Sequence, residues 1–247
     1  MADLGNGALA QPEEIVWETA KILLSQSFWH NRDIVITGGG TREKIDEVRY
    51  ISNFSSGKMA KALALSLYLR GANVHYITTM GTEGLPLGIK CKEVEDAQEM
   101  FTQTQQALAH TDKTRTPYLF MVAAVADYTP ESPQKGKLKK ASLGKSWQIK
   151  LKQTTDILAN IDKKHIKTIA FKAEMDSQKG LANATSLLSA KNVDAVCYNL
   201  LRDAKSFGGE HNAITFITKE KRYDLGYHSK MTLCDKIIDH AKELLDE

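Results

Sequence analysis

Apolar positions change period repeatedly along this chain, and the changes mark out its elements. Residues 12–26, PEEIVWETAKILLSQ, place Ile15, Val16, Ala20, Leu23 and Leu24 at helical spacing. DIVIT at 33–37 reads as a short buried strand that ends in glycines. Ser55 or Ser56 is expected to cap the next helix, which runs through MAKALALSLYLR to Gly71, a suitable residue just past its end. NVHYITTM at 73–80 is the second strand, and a polar helix is expected near 95–110. YLFMVAAVADY at 118–128 reads as a strongly buried strand ending in Asp127. Helix signals near 155–163, the strand TIAFKAE, a helix near 177–190 and the strand DAVCYNL at 194–200 continue the alternation. NAITFIT and RYDLGY look like a late strand pair joined by KEK, and an amphipathic helix over 232–245 closes the chain. Strands alternating with helices predict an α/β, Rossmann-like fold. Its sheet is mostly parallel with helices on both faces, and the late pair is antiparallel. Residues 1–30 are expected to form an N-terminal extension with one helix, and 31–247 a single nucleotide-binding domain. The Lys-, Ser- and Pro-rich stretch 129–153 is the least core-like and suits a flap or arm.

Composition narrows the function classes. Of 247 residues, 42% are hydrophobic and 26% charged, as in an ordinary globular protein. A formal charge of +3 does not point to nucleic acid, so any strong positive field must be local. The three cysteines, Cys91, Cys197 and Cys234, form no CxxC pair, which argues against a disulfide framework or zinc site and for reduced thiols in the cytoplasm. No apolar run approaches the roughly 20 residues that span a bilayer, and MADLGNGALA lacks the features of a signal peptide.

In open parallel sheets, ligands bind beyond the carboxyl ends of the strands. Three features are expected there: the turn Gly38-Gly39-Gly40-Thr41, Asp127 and Asn199. The turn does not make a dinucleotide fingerprint, because Glu43 stands where the last glycine would fall and the second strand ends in ITTM with no acid for a ribose. An NAD(P)-dependent oxidoreductase of short-chain type would also need Tyr-x-x-x-Lys, and none of the eight tyrosines supplies it. SSGK at 55–58 opens a helix with unpaired N–H groups and two hydroxyls; it is either a capped helix start or an anion site. KGKLKK at 135–140 is either solvated surface or a cationic clamp for a triphosphate. Asp127 either caps a turn or meets a ligand or Mg²⁺. The seven histidines are scattered, without HExxH or a nucleophile elbow. A non-catalytic nucleotide-binding regulator is the remaining alternative.

Taken in order, ITGGGTREKIDEVRYISNFSSGKM, AAVADYTPE…KLKK, TDIL, FKAE and KNVDAVCYN resemble the phosphopantothenoylcysteine synthetases, the CoaB half of the bacterial CoaBC flavoprotein. The resemblance runs from about residue 32 to the C-terminus. It implies a free-standing ligase without FMN that joins 4′-phosphopantothenate to L-cysteine. CTP or ATP with Mg²⁺ is the implied co-substrate, metal ligands are left unassigned, and a homodimer is expected. By resemblance, Gly39, Ser55 and Gly57 approach the nucleotide phosphates. Asn53 aids the second half-reaction, and Arg49 reaches across a dimer interface to the substrate phosphate. Ala123, Ala124 and Asp127 match the wall between substrate and nucleotide, and Lys137 matches a catalytic flap lysine. Asp156, Phe171, Lys191 and Asn199 match nucleotide-binding positions; read without the resemblance, Phe171 is core and Lys191 a surface helix end. The chain departs from the bacterial pattern at GGGT, where A-G-P-T is common, and at TTDIL, where N-P-D-I is usual. Leu187 stands where many CTP-using relatives have lysine. The GGT, FKAE and SNFSSG segments lean towards ATP-using eukaryotic relatives, and KLKK and VADY towards CTP-using ones. CTP is favoured over ATP.

Overall fold

The computed structural model describes residues 9–176, 178–201 and 208–245; residues 1–8 of the expected N-terminal extension lie outside them. Helix α1 (Pro12–Leu24) is followed by strand β1 (Asp33–Gly38) and a short antiparallel hairpin of β2 (Arg42–Lys44) and β3 (Tyr50–Ser52). Then come α2 (Lys58–Leu69), β4 (Asn73–Thr78), β5 (Lys90–Glu93), α3 (Ala97–Ala109) and β6 (Tyr118–Met121). An arm follows, built from β7 (Tyr128–Pro130), α4 (Lys140–Leu143) and β8 (Leu151–Gln153), with β7 and β8 paired antiparallel. The second half contains α5 (Ile157–Asn160), β9 (Lys167–Glu174), α6 (Gly180–Ala190), β10 (Ala195–Leu200), β11 (His211–Ile217), β12 (Arg222–Ser229) and α7 (Lys230–Lys242).

Eight strands form one sheet in the order β12-β11-β10-β9-β6-β1-β4-β5. Every pair from β10 to β5 is parallel, and β11 and β12 add antiparallel to β10, as the alternation and the late strand pair predict. Both faces are covered, which is why β1 is buried along its whole length. Ile34 and Ile36 pack with α2 and α7, whereas Val35 points to the side of α3 and α5. Trp29 joins the first of these clusters with no exposed surface. No helix among the described residues is long and apolar enough to cross a membrane.

Several details differ from the sequence reading, among them the edge strand β5 and the β2–β3 hairpin, which the apolar pattern did not mark. Helix α1 forms where expected, yet none of its residues is buried, and Ile15, Val16, Ile22 and Leu23 face outward. Its contacts with the body include Trp17 against the core, Glu14 accepting from Leu87 N–H at 3.2 Å, Glu18 accepting a hydrogen bond from the Tyr68 hydroxyl, and Lys21 over the Tyr68 ring at 4.4 Å. Neither serine of SSGK caps α2; Gly57 does, in the left-handed conformation at φ 68°. Gly71 ends that helix as expected, at φ 89°. The apolar run 118–128 is a strand only as far as Met121.

Candidate active site

The strand order reverses beside β1. The chain runs from β1 outward to β4 and β5, then crosses to β6 on the other side of β1 and proceeds to β9 and β10. Such a reversal leaves a crevice beyond the carboxyl ends of the two central strands. Here the segments leaving β1 and β6 stay joined past the sheet edge. Ala124 N–H donates to Gly39 O at 2.8 Å, and Thr41 N–H donates to Ala124 O at 3.3 Å. Gly39 makes the turn at φ 84°, where a Cβ would stand 2.2 Å from Thr79 Oγ1, so only glycine fits.

A cavity of about 510 Å³ opens at this crevice. Gly39, Ala123 and Ala124 line it from the strand ends, and Asn53, Ser55 and Gly57 from the loop that leads into α2. Asp127, Phe171 and Asn199 complete the set of expected residues on its wall. The Asn53 amide donates to Val125 O at 2.9 Å, which orients the side chain and leaves a second N–H in its inventory. The start of α2 turns backbone N–H groups with no intrahelical acceptor towards this space.

A second cavity, of about 540 Å³, adjoins the first and shares Ala123, Val125, Asp127 and Phe171 with it. Asp156, Leu158 and Leu187 lie on its far side. Asp156 caps α5 by accepting from Ala159 N–H at 2.8 Å and pairs with Lys191. Burial works against its charged form, but these hydrogen bonds prevail and hold the carboxyl below the usual carboxylate range. Lys191 is thus brought to the site through Asp156.

Arg49 and Lys137, like Lys191, line neither cavity. Both belong to a joint between the β2–β3 hairpin and the arm, organised by Asp46. The buried Asp46 carboxylate accepts from the backbone N–H groups of Val48, Arg49 and Leu138 at 2.9, 2.8 and 3.1 Å, and from the Arg49 guanidinium. Arg49 also donates to Leu138 O at 3.1 Å and stacks over Trp147 at 4.9 Å. Lys137, exposed on the arm, precedes Leu138 directly. The Arg49 guanidinium leads the groups that push the Asp46 carboxyl well below the usual carboxylate range.

A carboxyl with a depressed pKa stabilises the fold above its unfolded value of about 3.9 and loses that contribution as pH falls towards the folded one. Asp46→Asn is therefore expected to be less stable than the native chain at neutral pH, with the gap closing below about pH 4. Denaturant titrations across pH check this, and a gap that does not change with pH would remove Asp46 from this role.

Sequence reasoning missed several wall residues: Lys58, Lys172, Asn212, Ile214 and Lys230. A search of strand carboxyl ends alone passes over Asn212 and Ile214, because β11 runs antiparallel. Its beginning therefore lies at the carboxyl end of β10, with Ile214 opposite Asn199. Lys58 was in view in SSGK, but as part of a helix start. Asp46 had no motif to mark it.

A family model described as the DNA/pantothenate metabolism flavoprotein C-terminal domain matches residues 29–245. The chain belongs to that family. The Coenzyme A biosynthesis bifunctional protein CoaBC of Vibrio parahaemolyticus is 32% identical over 249 residues, a match that covers 98% of this chain and 60% of that protein. The chain thus spans less than two thirds of that relative's length. Among solved structures, the C-terminal domain of a CoaBC protein superposes with a TM-score of 0.72 at 28% identity, covering 90% of this chain and 99% of that one. A mutant Cab2 in complex with phosphopantothenate-cysteine has a TM-score of 0.65 at 16% identity, covering 96% of each chain, and supports the shared fold.

Proposed function

We propose that the chain is a phosphopantothenate–cysteine ligase. One observation carries the reading: two adjoining cavities share a wall of Ala123, Val125, Asp127 and Phe171 at the sheet's reversal point. An anion-attracting helix start and the Asn53 amide stand on one side of that wall. Such a site suits a reaction in which a carboxylate and a nucleotide must meet while water stays out. A carboxylate oxygen of 4′-phosphopantothenate attacks the nucleotide α-phosphorus, and pyrophosphate leaves. The cysteine amine then attacks the acyl carbon, the C–O bond breaks, and the nucleoside monophosphate departs with that oxygen.

In this reading Gly39, Ser55 and Gly57 let the phosphates approach backbone N–H groups, and Ala123 and Ala124 keep the wall low enough for the acyl group to pass. Asn53 donates to the acyl oxygen as negative charge builds on it. Phe171 packs against the nucleoside, with Asp156, Lys191 and Asn199 around it. Lys137 reaches in from the arm to the triphosphate. Arg49 belongs to the cavity of the partner subunit in a homodimer, consistent with its position off both walls of its own chain.

Among the described residues no cluster of three His, Cys, Asp or Glu side chains offers a metal cage. That donor set fits Mg²⁺ carried chiefly by nucleotide phosphates, with Asp127 the carboxylate at hand. When bound, the ion would offset charge on the phosphates. CTP is the proposed nucleotide in preference to ATP, and the reaction is placed in the cytoplasm.

The test is pyrophosphate release by the purified protein with CTP, ATP and UTP in turn. Release is expected only when phosphopantothenate and a nucleotide are both present, and fastest with CTP. A protein inert with all three nucleotides would defeat the reading.

A further inference from the structure

Two lysines on the wall of the first cavity have no place in the chemistry above. Lys58 is the first residue of α2 and Lys230 the first of α7, and both ammonium groups reach the same short turn, Gly208-Gly209-Glu210. Lys58 Nζ donates to Gly208 O at 3.2 Å and pairs with the Glu210 carboxylate. Lys230 Nζ donates to Gly209 O, and Lys230 is only 6% exposed. Removing an ammonium from water is costly unless it is matched by opposite charge. Among the described residues the match is thin: one carboxylate, 70% exposed, serves two cations. Burial lowers the Lys230 pKa, and the charge on Lys58 lowers it further, so the two ammonium groups repel each other across the turn. Lys172, a third lysine on this wall, is paired with Glu174 at 3.3 Å and stands outside this balance.

An apolar residue at position 230 would cost the fold less than a buried, under-neutralised lysine. The surplus charge is intelligible if an anion of higher charge than Glu210 occupies the place at times. We propose that Lys58 and Lys230 form a subsite for the diphosphate portion of a nucleotide, in which the Glu210 carboxylate stands until that ligand displaces it. The subsite rests on the ligase reading for its place in a reaction, since pyrophosphate is the leaving group there. Two ammonium groups and the converging starts of two helices supply the charge that a diphosphate needs. Glu210 opposes binding as a competing anion built into the chain.

The competitor gives the proposal its distinctive test. Calorimetric titration with inorganic pyrophosphate compares the native protein with Lys58→Ala, Lys230→Met and Glu210→Gln, each checked by thermal melting. Both lysine variants are expected to bind pyrophosphate about tenfold or more weakly, the loss of one charge-assisted contact. Glu210→Gln is expected to bind it several-fold more tightly, a gain that a purely structural role would not produce. Inorganic phosphate and phosphopantothenate are expected to bind all four proteins alike. Unchanged or weaker pyrophosphate binding in Glu210→Gln overturns the proposal, as does native affinity in Lys58→Ala. An equal response of phosphate and pyrophosphate would overturn the diphosphate assignment. Lys58 and Glu210 are exposed, so their variants test the idea even if Lys230→Met does not fold. No turnover is required, so a protein that follows this pattern without ligase activity keeps the subsite and loses the reaction.

Discussion

Asn53→Asp is expected to form the acyl-nucleotide and release pyrophosphate in a first turnover, but to form amide about 10²–10³-fold more slowly. The native amide is oriented by its bond to Val125 O at 2.9 Å. A carboxylate at position 53 cannot donate to that carbonyl and is repelled by it, so the side chain turns away. It also brings negative charge towards an acyl oxygen on which negative charge is developing. Both effects fall on the second half-reaction. Rapid-quench analysis of a single turnover should show the acyl-nucleotide accumulating. Normal amide formation in a folded Asn53→Asp protein would sink the role.

The largest expected effect on stability is at Gly39. An added Cβ would stand 2.2 Å from Thr79 Oγ1 and 2.9 Å from Met80 Cγ, at a φ of 84° that side chains other than glycine rarely adopt. Thr79 cannot retreat freely, because its hydroxyl donates to Gly40 O at 2.8 Å. Left-handed strain and overpacking together give a loss of about 2–5 kcal/mol for Gly39→Ala. Gly57→Ala meets mainly the flexible Met80 side chain, so its cost is expected to be near the backbone strain alone, about 1–2 kcal/mol. Equilibrium unfolding in urea compares the two, and a Gly39→Ala protein within 1 kcal/mol or so of the native one contradicts the tight-turn account.

The parallel sheet was legible because β1, β4, β9 and β10 each carry a short apolar run next to a helical pattern. The end of β6 was not. Apolar character continues through Val125, but a strand lasts only while its neighbour runs beside it, and β1 has already turned at Gly39. Past that point a single bridge between Gly40 and Ala124 remains. Helix α1 shows the converse: its period gives the helix, and the period cannot say what its apolar face meets. For the site, motif order picked out Asn53, Gly57, Asp127, Phe171 and Asn199, all of which line the first cavity. Asp46 and Lys230 stayed hidden because their importance lies in contacts with residues 138 and 209, far along the chain.

Transfer through an acyl-nucleotide has a direct isotopic signature. With phosphopantothenate labelled by ¹⁸O in its carboxylate, each amide formed should leave one labelled oxygen in the nucleoside monophosphate. Label found in pyrophosphate or phosphate, or amide formed with no label in the monophosphate, would contradict the reaction assigned to this pair of cavities.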